Sequence, residues 1–340
     1  LATIFTAPLF AWVSGGALDT KERLPLASHA AIAESMSVKV GVVGVGAIGR
    51  NHARIYSELA SADLVGIYDA NHEHAQAIAA EFGTEAVADL DELVARVDAA
   101  SVSTPTITHR EIATKLLSAG KHVLVEKPIS DSVDDARAII DLANEKGLIL
   151  QVGHIERFNP VMSQLEQRLD SPKFIECHRL SPFPKRSLDI GVVLDLMIHD
   201  LEIVLHLVNS PIAAIDAVGI QVLTRREDIA NARIRFENGC VANITASRIS
   251  PERMRKIRVF QSDAYLSLDY QDQSGWIYRK DGMEIGREEV LVEKDEPLKC
   301  ELSAFVDCAA KGEQPKVSGQ QGAAALDVAL EITRIIEESC

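Results

Sequence analysis

The sequence predicts an α/β domain built on a parallel sheet, followed by an α+β domain with a large, mainly antiparallel open sheet. Three observations predict this. Short apolar runs alternate with helical stretches from residue 38 to about residue 152, the pattern of a parallel sheet covered on both faces. Past Arg157 the runs change to period-two alternation, which marks half-buried antiparallel strands. The chain has 340 residues, and at roughly 150 residues per domain two domains are expected.

The elements follow in order. Residues 38–43 form the first strand, and a glycine-rich turn then opens an Ala- and Ile-bearing helix to about residue 60. A second strand is predicted at 64–68 and a helix at 73–82. Further buried strands lie at 99–102, 123–125 and 148–152, with helices at 111–118 and 133–145 between them. A helix at 160–169 and a strongly apolar helix at 192–208 come next. Ala232-Arg233-Ile234-Arg235-Phe236 alternates cleanly. Asn238-Gly239 is a pair that favours a type I′ hairpin turn, so 241–246 should pair back. Strands at 257–260, 264–268 and 275–278 extend the sheet, and helices at about 298–310 and 321–338 close the chain. The predicted domains are 36–156 and 157–340, closely packed around a cleft because no low-complexity linker separates them.

Composition narrows the function classes. Hydrophobic residues make up 47% and charged residues 25%, which excludes a disordered chain, a coiled coil and a collagen-like repeat. The net charge of −15, from 35 basic and 50 acidic residues, argues against a general nucleic-acid surface. A local basic pocket for a phosphorylated small molecule remains compatible with it. Five cysteines without CxxC spacing read as free thiols in a reducing compartment, so a cytoplasmic protein with no metal site is expected. In that setting the sequon Asn243-Ile244-Thr245 carries no meaning. His72 and His74 resemble a metal pair but have no third ligand in view.

Residues 1–35 stand apart. The first eighteen residues carry no charge, lack the basic region of a secretory signal, and are interrupted by Pro8, Gly15 and Gly16. Met36 directly precedes the first strong strand. The expectation is a non-core extension or misplaced start, with a membrane anchor as the alternative.

Gly44-Val45-Gly46-Ala47-Ile48-Gly49 is a GxGxxG that follows a predicted strand and opens a helix. In that context the glycines permit a tight turn, approach to a pyrophosphate, and helix–strand packing, while the helix start presents free amides. This is the dinucleotide site of a Rossmann domain. About 20 residues on, the second strand ends at Asp69, whose carboxylate suits ribose hydroxyls and repels a 2′-phosphate. NAD is therefore favoured over NADP. The loop Ser103-Thr104-Pro105 and His109, after a later strand, are further candidate cofactor contacts.

Two more motifs complete a set. Glu126-Lys127-Pro128 ends a strand, and Asp195-Leu196-Met197-Ile198-His199 places Asp195 and His199 on one helix face. With the glycine motif, these resemble the glucose–fructose oxidoreductase/inositol dehydrogenase (Gfo/Idh/MocA) family from about residue 37 onward. Thr106 departs from it, since many relatives carry Asn there. The resemblance implies that Lys127 lies beside the nicotinamide and the reacting carbinol, with Glu126 near the cofactor. It makes His199 the general acid/base and Asp195 a partner for substrate or histidine. Histidine suits this task because its reference pKa is about 6.5, and an ammonium stabilises a developing alkoxide.

The string Val152-Gly153-His154-Ile155-Glu156-Arg157-Phe158-Asn159-Pro160, with His178-Arg179-Leu180-Ser181-Pro182-Phe183 downstream, resembles the branch that oxidises the 3-hydroxyl of UDP-N-acetylglucosamine. His154, Glu156, Arg157, Asn159, Arg179 and Arg186, together with Asp195 and His199, are the candidate substrate residues. Arg157, Arg179, Lys185 and Arg186 are the cations expected to meet a diphosphate, because guanidinium groups bind phosphate bidentately. An inositol, polyol or free-sugar dehydrogenase is the alternative, and a non-catalytic NAD(H)-binding regulator a more distant one. No nucleic-acid or membrane partner is expected. The open sheet should be covered by self-association into a homodimer or homotetramer.

Overall fold

The computed structural model describes residues 37–183 and 190–339. The expectations for residues 1–35, and those for Lys185 and Arg186, lie outside them. The first half runs β1 (Val38–Val43), α1 (Ala47–Glu58), β2 (Ala62–Tyr68), α2 (His72–Phe82) and α3 (Leu90–Arg96). It continues as β3 (Ala99–Val102), α4 (His109–Ser118), β4 (His122–Glu126), α5 (Val133–Lys146) and β5 (Leu150–Gly153). Among the described residues these strands make a five-stranded sheet in the order β2-β1-β3-β4-β5, parallel throughout. Every residue of β3 and β5 is buried, as sheets covered on both faces require. The sequence reading placed no element at α3. That helix has only seven residues and is held by Asp89, whose Oδ1 accepts the Glu92 amide at 2.8 Å; it is too short to show a period.

The second half begins with α6 (Pro160–Glu166) and β6 (Phe174–Leu180), and then, after a π-helical turn at Val193–Met197, α7 (Ile198–Val208). Next come β7 (Ile212–Ile220), β8 (Ile229–Phe236), β9 (Val241–Ser247), β10 (Met254–Phe260), β11 (Ala264–Asp269), β12 (Ser274–Asp281) and β13 (Glu284–Glu289). Helices α8 (Pro297–Lys311) and α9 (Gly319–Ser339) close the chain. Among the described residues the strands form an eight-stranded sheet, β13-β12-β11-β10-β6-β9-β8-β7, antiparallel except for β6 beside β9. One face packs on α7 and α9. Helix α9 also lies against α5 and β5, and α8 against α1, so both helices tie the second half to the first sheet.

Three sequence expectations need correction. The predicted helix at 192–208 is divided, with a widened π turn before α7. β6, β7 and β13 carried no strand expectation. β6 and β7 hide their alternation behind Arg179 on the inner face and a register shift near Ile212. β13 is an edge strand exposed along its whole length. Finally, the turn at Asn238-Gly239 is not type I′, which needs two residues at positive φ. Only Gly239, at φ 84°, lies there, while Asn238 Oδ1 accepts the Cys240 amide at 3.0 Å.

Candidate active site

The glycine-rich loop crosses the C-terminal ends of β1 and β3. Gly44 sits at φ 84°, and a Cβ there would fall 2.7 Å from Thr104 Cγ2. A Cβ on Gly49 would stand 1.9 Å from the Gly44 oxygen, so only glycine lets α1 approach the loop. A Cβ on Gly46, in contrast, would meet nothing within 4 Å. Gly46 caps α1 without a side-chain hydrogen bond, and Ala47 and Ile48 behind it are exposed. This leaves an amide-lined helix start facing open space, which fits a dinucleotide diphosphate.

Asp69 Oδ2 accepts the Val45 amide at 2.8 Å and Oδ1 accepts the Asn71 amide at 2.9 Å. The carboxylate therefore braces the loop, and each oxygen keeps a lone pair for a ribose hydroxyl. His74 Nε2 lies 3.0 Å from the Val45 oxygen, adding a second brace. Ser103 Oγ donates to the Gly44 oxygen at 2.8 Å, and Thr104 Oγ1 accepts from Thr108 Oγ1 at 2.8 Å. Pro105 leads into a 3₁₀ turn at Thr106–Thr108. His109 does not turn toward a cofactor. It is 1% exposed, with Nδ1 2.9 Å from the Pro128 oxygen and Nε2 2.9 Å from the Thr104 oxygen. Burial lowers its pKa, and the ring ties two loops together.

The catalytic candidates do converge. Lys127 Nζ donates to the Asp195 main-chain oxygen at 2.7 Å and stands 3.5 Å from its Oδ1. Burial lowers the Lys127 pKa, against the charges of Asp195 and Glu126. Glu126 accepts the Lys127 amide at 3.2 Å and meets His52 Nε2 at 3.1 Å. His199 opens α7, and its Nδ1 is buried without a hydrogen-bond partner. Burial, then the charges of Lys127 and Arg179, push its pKa well below the usual value. The His199 ring is thus held neutral within the field of the Lys127 charge. His154, 1% exposed and with neither ring nitrogen partnered, meets it edge-to-face at 6.1 Å. Burial and the charges of Lys127 and Arg157 push the His154 pKa down to about 3.

The turn leading into α7 is anchored by residues outside the motifs. The Glu227 oxygen accepts the Val192 amide at 2.9 Å, and its Oε1 accepts the Val193 amide at 3.2 Å. Arg248 Nη1 donates to the Ile190 oxygen at 2.8 Å, and its Nε donates to Asp228 Oδ1 at 2.9 Å. Asp228 Oδ2 also gathers the amides of Val222, Leu223 and Thr224. Below the site, Glu301 on α8 is 0% exposed and neither carboxyl oxygen has a hydrogen-bond partner. Burial, then the charges of Glu126 and Glu156, raise its pKa well above the carboxylate range.

The cations expected at a diphosphate are placed otherwise. Arg157 is 2% exposed, donates to Glu202 Oε1 at 2.7 Å and pairs with Glu166 at 3.4 Å. Arg179 is 3% exposed; its Nε and Nη2 grip Asp200 at 2.7 and 3.0 Å, and its Nη1 donates to Glu156 at 2.9 Å. Burial opposes the Arg179 charge, but Asp200 and Glu156 outweigh it and hold the pKa above its usual value. Asn159 caps α6, accepting the Val161 amide at 3.3 Å and donating to the Tyr270 oxygen at 2.9 Å. Arg157, Glu156, Arg179 and Asn159 are therefore framework. Each is held by partners inside the protein, where an unpaired charge would be costly, although Arg157 Nε is buried without one. Phe158 is buried and Phe183 partly exposed. A half-exposed cation without a place in the motifs is Arg255, opposite Arg179 on β10 and 3.3 Å from Glu156 Oε1. Extending the alternation of that strand backward would have found it.

Residues 38–154 match the oxidoreductase family with an NAD-binding Rossmann fold, and residues 162–267 match the GFO/IDH/MocA C-terminal domain. The chain is 38% identical over 307 residues to UDP-N-acetylglucosamine 3-dehydrogenase of Acidithiobacillus ferrooxidans, covering 88% of this chain and 97% of the relative. Inositol 2-dehydrogenase 1 of Saccharopolyspora erythraea is 30% identical over 332 residues, covering 89% and 95%. A solved structure of the Acidithiobacillus ferrooxidans enzyme has a TM-score of 0.86 at 37% identity, covering 89% of this chain and 99% of that one. The two sheets agree with these likenesses, and the chain belongs to the Gfo/Idh/MocA family of NAD-binding oxidoreductases.

Proposed function

We propose that this oxidoreductase converts the 3-hydroxyl of UDP-N-acetylglucosamine to a ketone, with His199 taking the hydroxyl proton. Lys127 stabilises the developing alkoxide, and Asp195 keeps the ammonium directed at that oxygen. Bound NAD supplies the acceptor for the hydride that leaves the carbinol carbon. The observation that carries the reading is that the Lys127 ammonium, just past β4, bonds the Asp195 turn that leads into α7, where the His199 ring carries an unpartnered Nδ1 and feels the Lys127 charge. The 38% identity with the UDP-N-acetylglucosamine 3-dehydrogenase selects the substrate. A panel of UDP-N-acetylglucosamine, N-acetylglucosamine and myo-inositol with NAD⁺ tests it. Cofactor reduction with the UDP-sugar, and a product lighter by two hydrogens, is expected. Preferential turnover of myo-inositol would favour the second reading, an inositol dehydrogenase, which the inositol 2-dehydrogenase relative supports.

Among the described residues no helix is long and apolar enough to cross a membrane, and a cytoplasmic location is part of the proposal. Self-association through the outer face of the large sheet is another. Phe174, Phe260, Tyr265 and Tyr278 form a row there, at centroid spacings of 5.7, 5.0 and 4.3 Å, with the first pair tilted and the other two stacked. A contiguous apolar face of this kind favours burial against a second copy. Light scattering at micromolar concentration should give a dimer or tetramer; a monomer mass would refute it.

A further inference from the structure

Arg179 and Arg255 are direct neighbours across the β6–β10 pairing, both on the inner face of the large sheet. Their situations differ. Arg179 is saturated by Asp200 and Glu156. Arg255 has 48% of its side chain exposed and reaches Glu156 Oε1 at 3.3 Å, an oxygen that Arg179 already holds at 2.9 Å. Through Glu156 and Arg179 it joins Asp200, the residue that follows His199 on α7, and its charge bears on both of those residues. Burial and the neighbouring Arg179 charge lower the Arg255 pKa, which is the signature of a cation with too little counter-charge. A guanidinium that is half exposed, pre-aimed by a shared carboxylate and beside a saturated twin is built to receive an external anion. Its planar fork suits phosphate oxygens bidentately.

We propose that Arg255 binds the diphosphate of the nucleotide-sugar substrate, with Glu156 holding the guanidinium in place until the anion arrives. Arg255 takes the part that the motif assigned to Arg157 and Arg179. The inference rests on the UDP-sugar reading above and names the residue that selects nucleotide sugars over free sugars.

The test titrates UDP and uridine into the NADH-loaded protein by calorimetry, beside steady-state kinetics with UDP-N-acetylglucosamine. Arg255→Gln should raise the UDP Kd and the UDP-sugar KM by about 10- to 100-fold, the range of a charge-assisted hydrogen bond. Uridine affinity, NADH affinity and kcat should stay within about threefold, and added salt should weaken UDP binding to the parent more than to the variant. Arg255→Lys, which keeps the charge and loses the fork, should fall between the two. It also serves if Arg255→Gln does not fold. Arg137→Gln removes the same charge from α5 and should change none of these. If the parent binds UDP and both Arg255 variants bind it equally well, the inference is overturned while the substrate reading stands. Equal losses of UDP and uridine affinity would overturn it too, by making Arg255 structural. A parent that binds neither UDP nor UDP-N-acetylglucosamine overturns the substrate reading and this inference together.

Discussion

Lys127 is held by the backbone of Asp195 more closely than by its carboxylate: Nζ stands 2.7 Å from the main-chain oxygen and 3.5 Å from Oδ1. The ammonium at the end of β4 is thus positioned by the π turn that precedes α7.

His199→Ala should lower kcat by about 10²–10⁴-fold, the usual contribution of a positioned acid/base, and Lys127→Ala by about 10²–10³-fold, that of one oxyanion-stabilising group. NADH affinity, measured by fluorescence titration, should barely change, because the Gly44–Gly49 loop and Asp69 lie elsewhere. The double variant should be little worse than the poorer single one, since members of one constellation do not add. Normal turnover in His199→Ala with collapsed NADH binding would make the histidine structural.

Asp69→Ala should weaken NAD and narrow its preference over NADP by about 10- to 100-fold, through lost charge-assisted bonds and lost repulsion of a 2′-phosphate. The Val45 and Asn71 amides lose their acceptor in the same change. A lower melting temperature without NAD should therefore accompany the altered preference. An unchanged ratio would place discrimination in another group.

His154 makes stability fall with acid. Its folded pKa of about 3 lies below the unfolded value of about 6.5, so below pH 6.5 the unfolded chain takes up a proton that the folded one refuses. The contribution is whole above about pH 6.5 and is lost at up to about 1.4 kcal/mol per pH unit toward pH 3. Urea melts of His154→Gln between pH 6.5 and 4.5 should show a shallower slope than the parent. Parallel slopes would mean that the ring is accessible in the folded state.

Glu301 acts in the opposite direction. Its folded pKa is raised, so above the unfolded pKa of about 4.3 the unfolded chain releases a proton that the folded one keeps. Stability then falls as pH rises. Glu301→Gln should stabilise the protein at pH 7–8 and flatten this slope by up to about 1.4 kcal/mol per pH unit. A destabilised variant with the parent's pH slope would refute it.

Arg248→Ala strands the buried Asp228 carboxylate and frees the Ile190 carbonyl at the catalytic helix start. Breaking such a buried pair costs about 3–5 kcal/mol. The three backbone amides that remain on Asp228 should hold the loss to the lower end. Turnover should fall with stability while NADH affinity stays near normal; a loss of NADH affinity alone would contradict this.

The alternation of short apolar runs and helices, the placement of GxGxxG between β1 and α1, and the positions of Lys127 and His199 were all legible in the chain itself. Each depends on a period or a motif within a few neighbouring residues. What the sequence could not disclose is which charges are already spent. Arg157 finds Glu202 across 45 positions, Arg179 finds Asp200 across 21, and Arg255 finds Glu156 across 99. An arginine near a motif looks the same in sequence whether it is buried against a carboxylate or open to a ligand. Desolvation forces buried guanidiniums to take internal partners, and only the packing of β6, β10 and α7 decided that Arg179 would be saturated and Arg255 left half exposed.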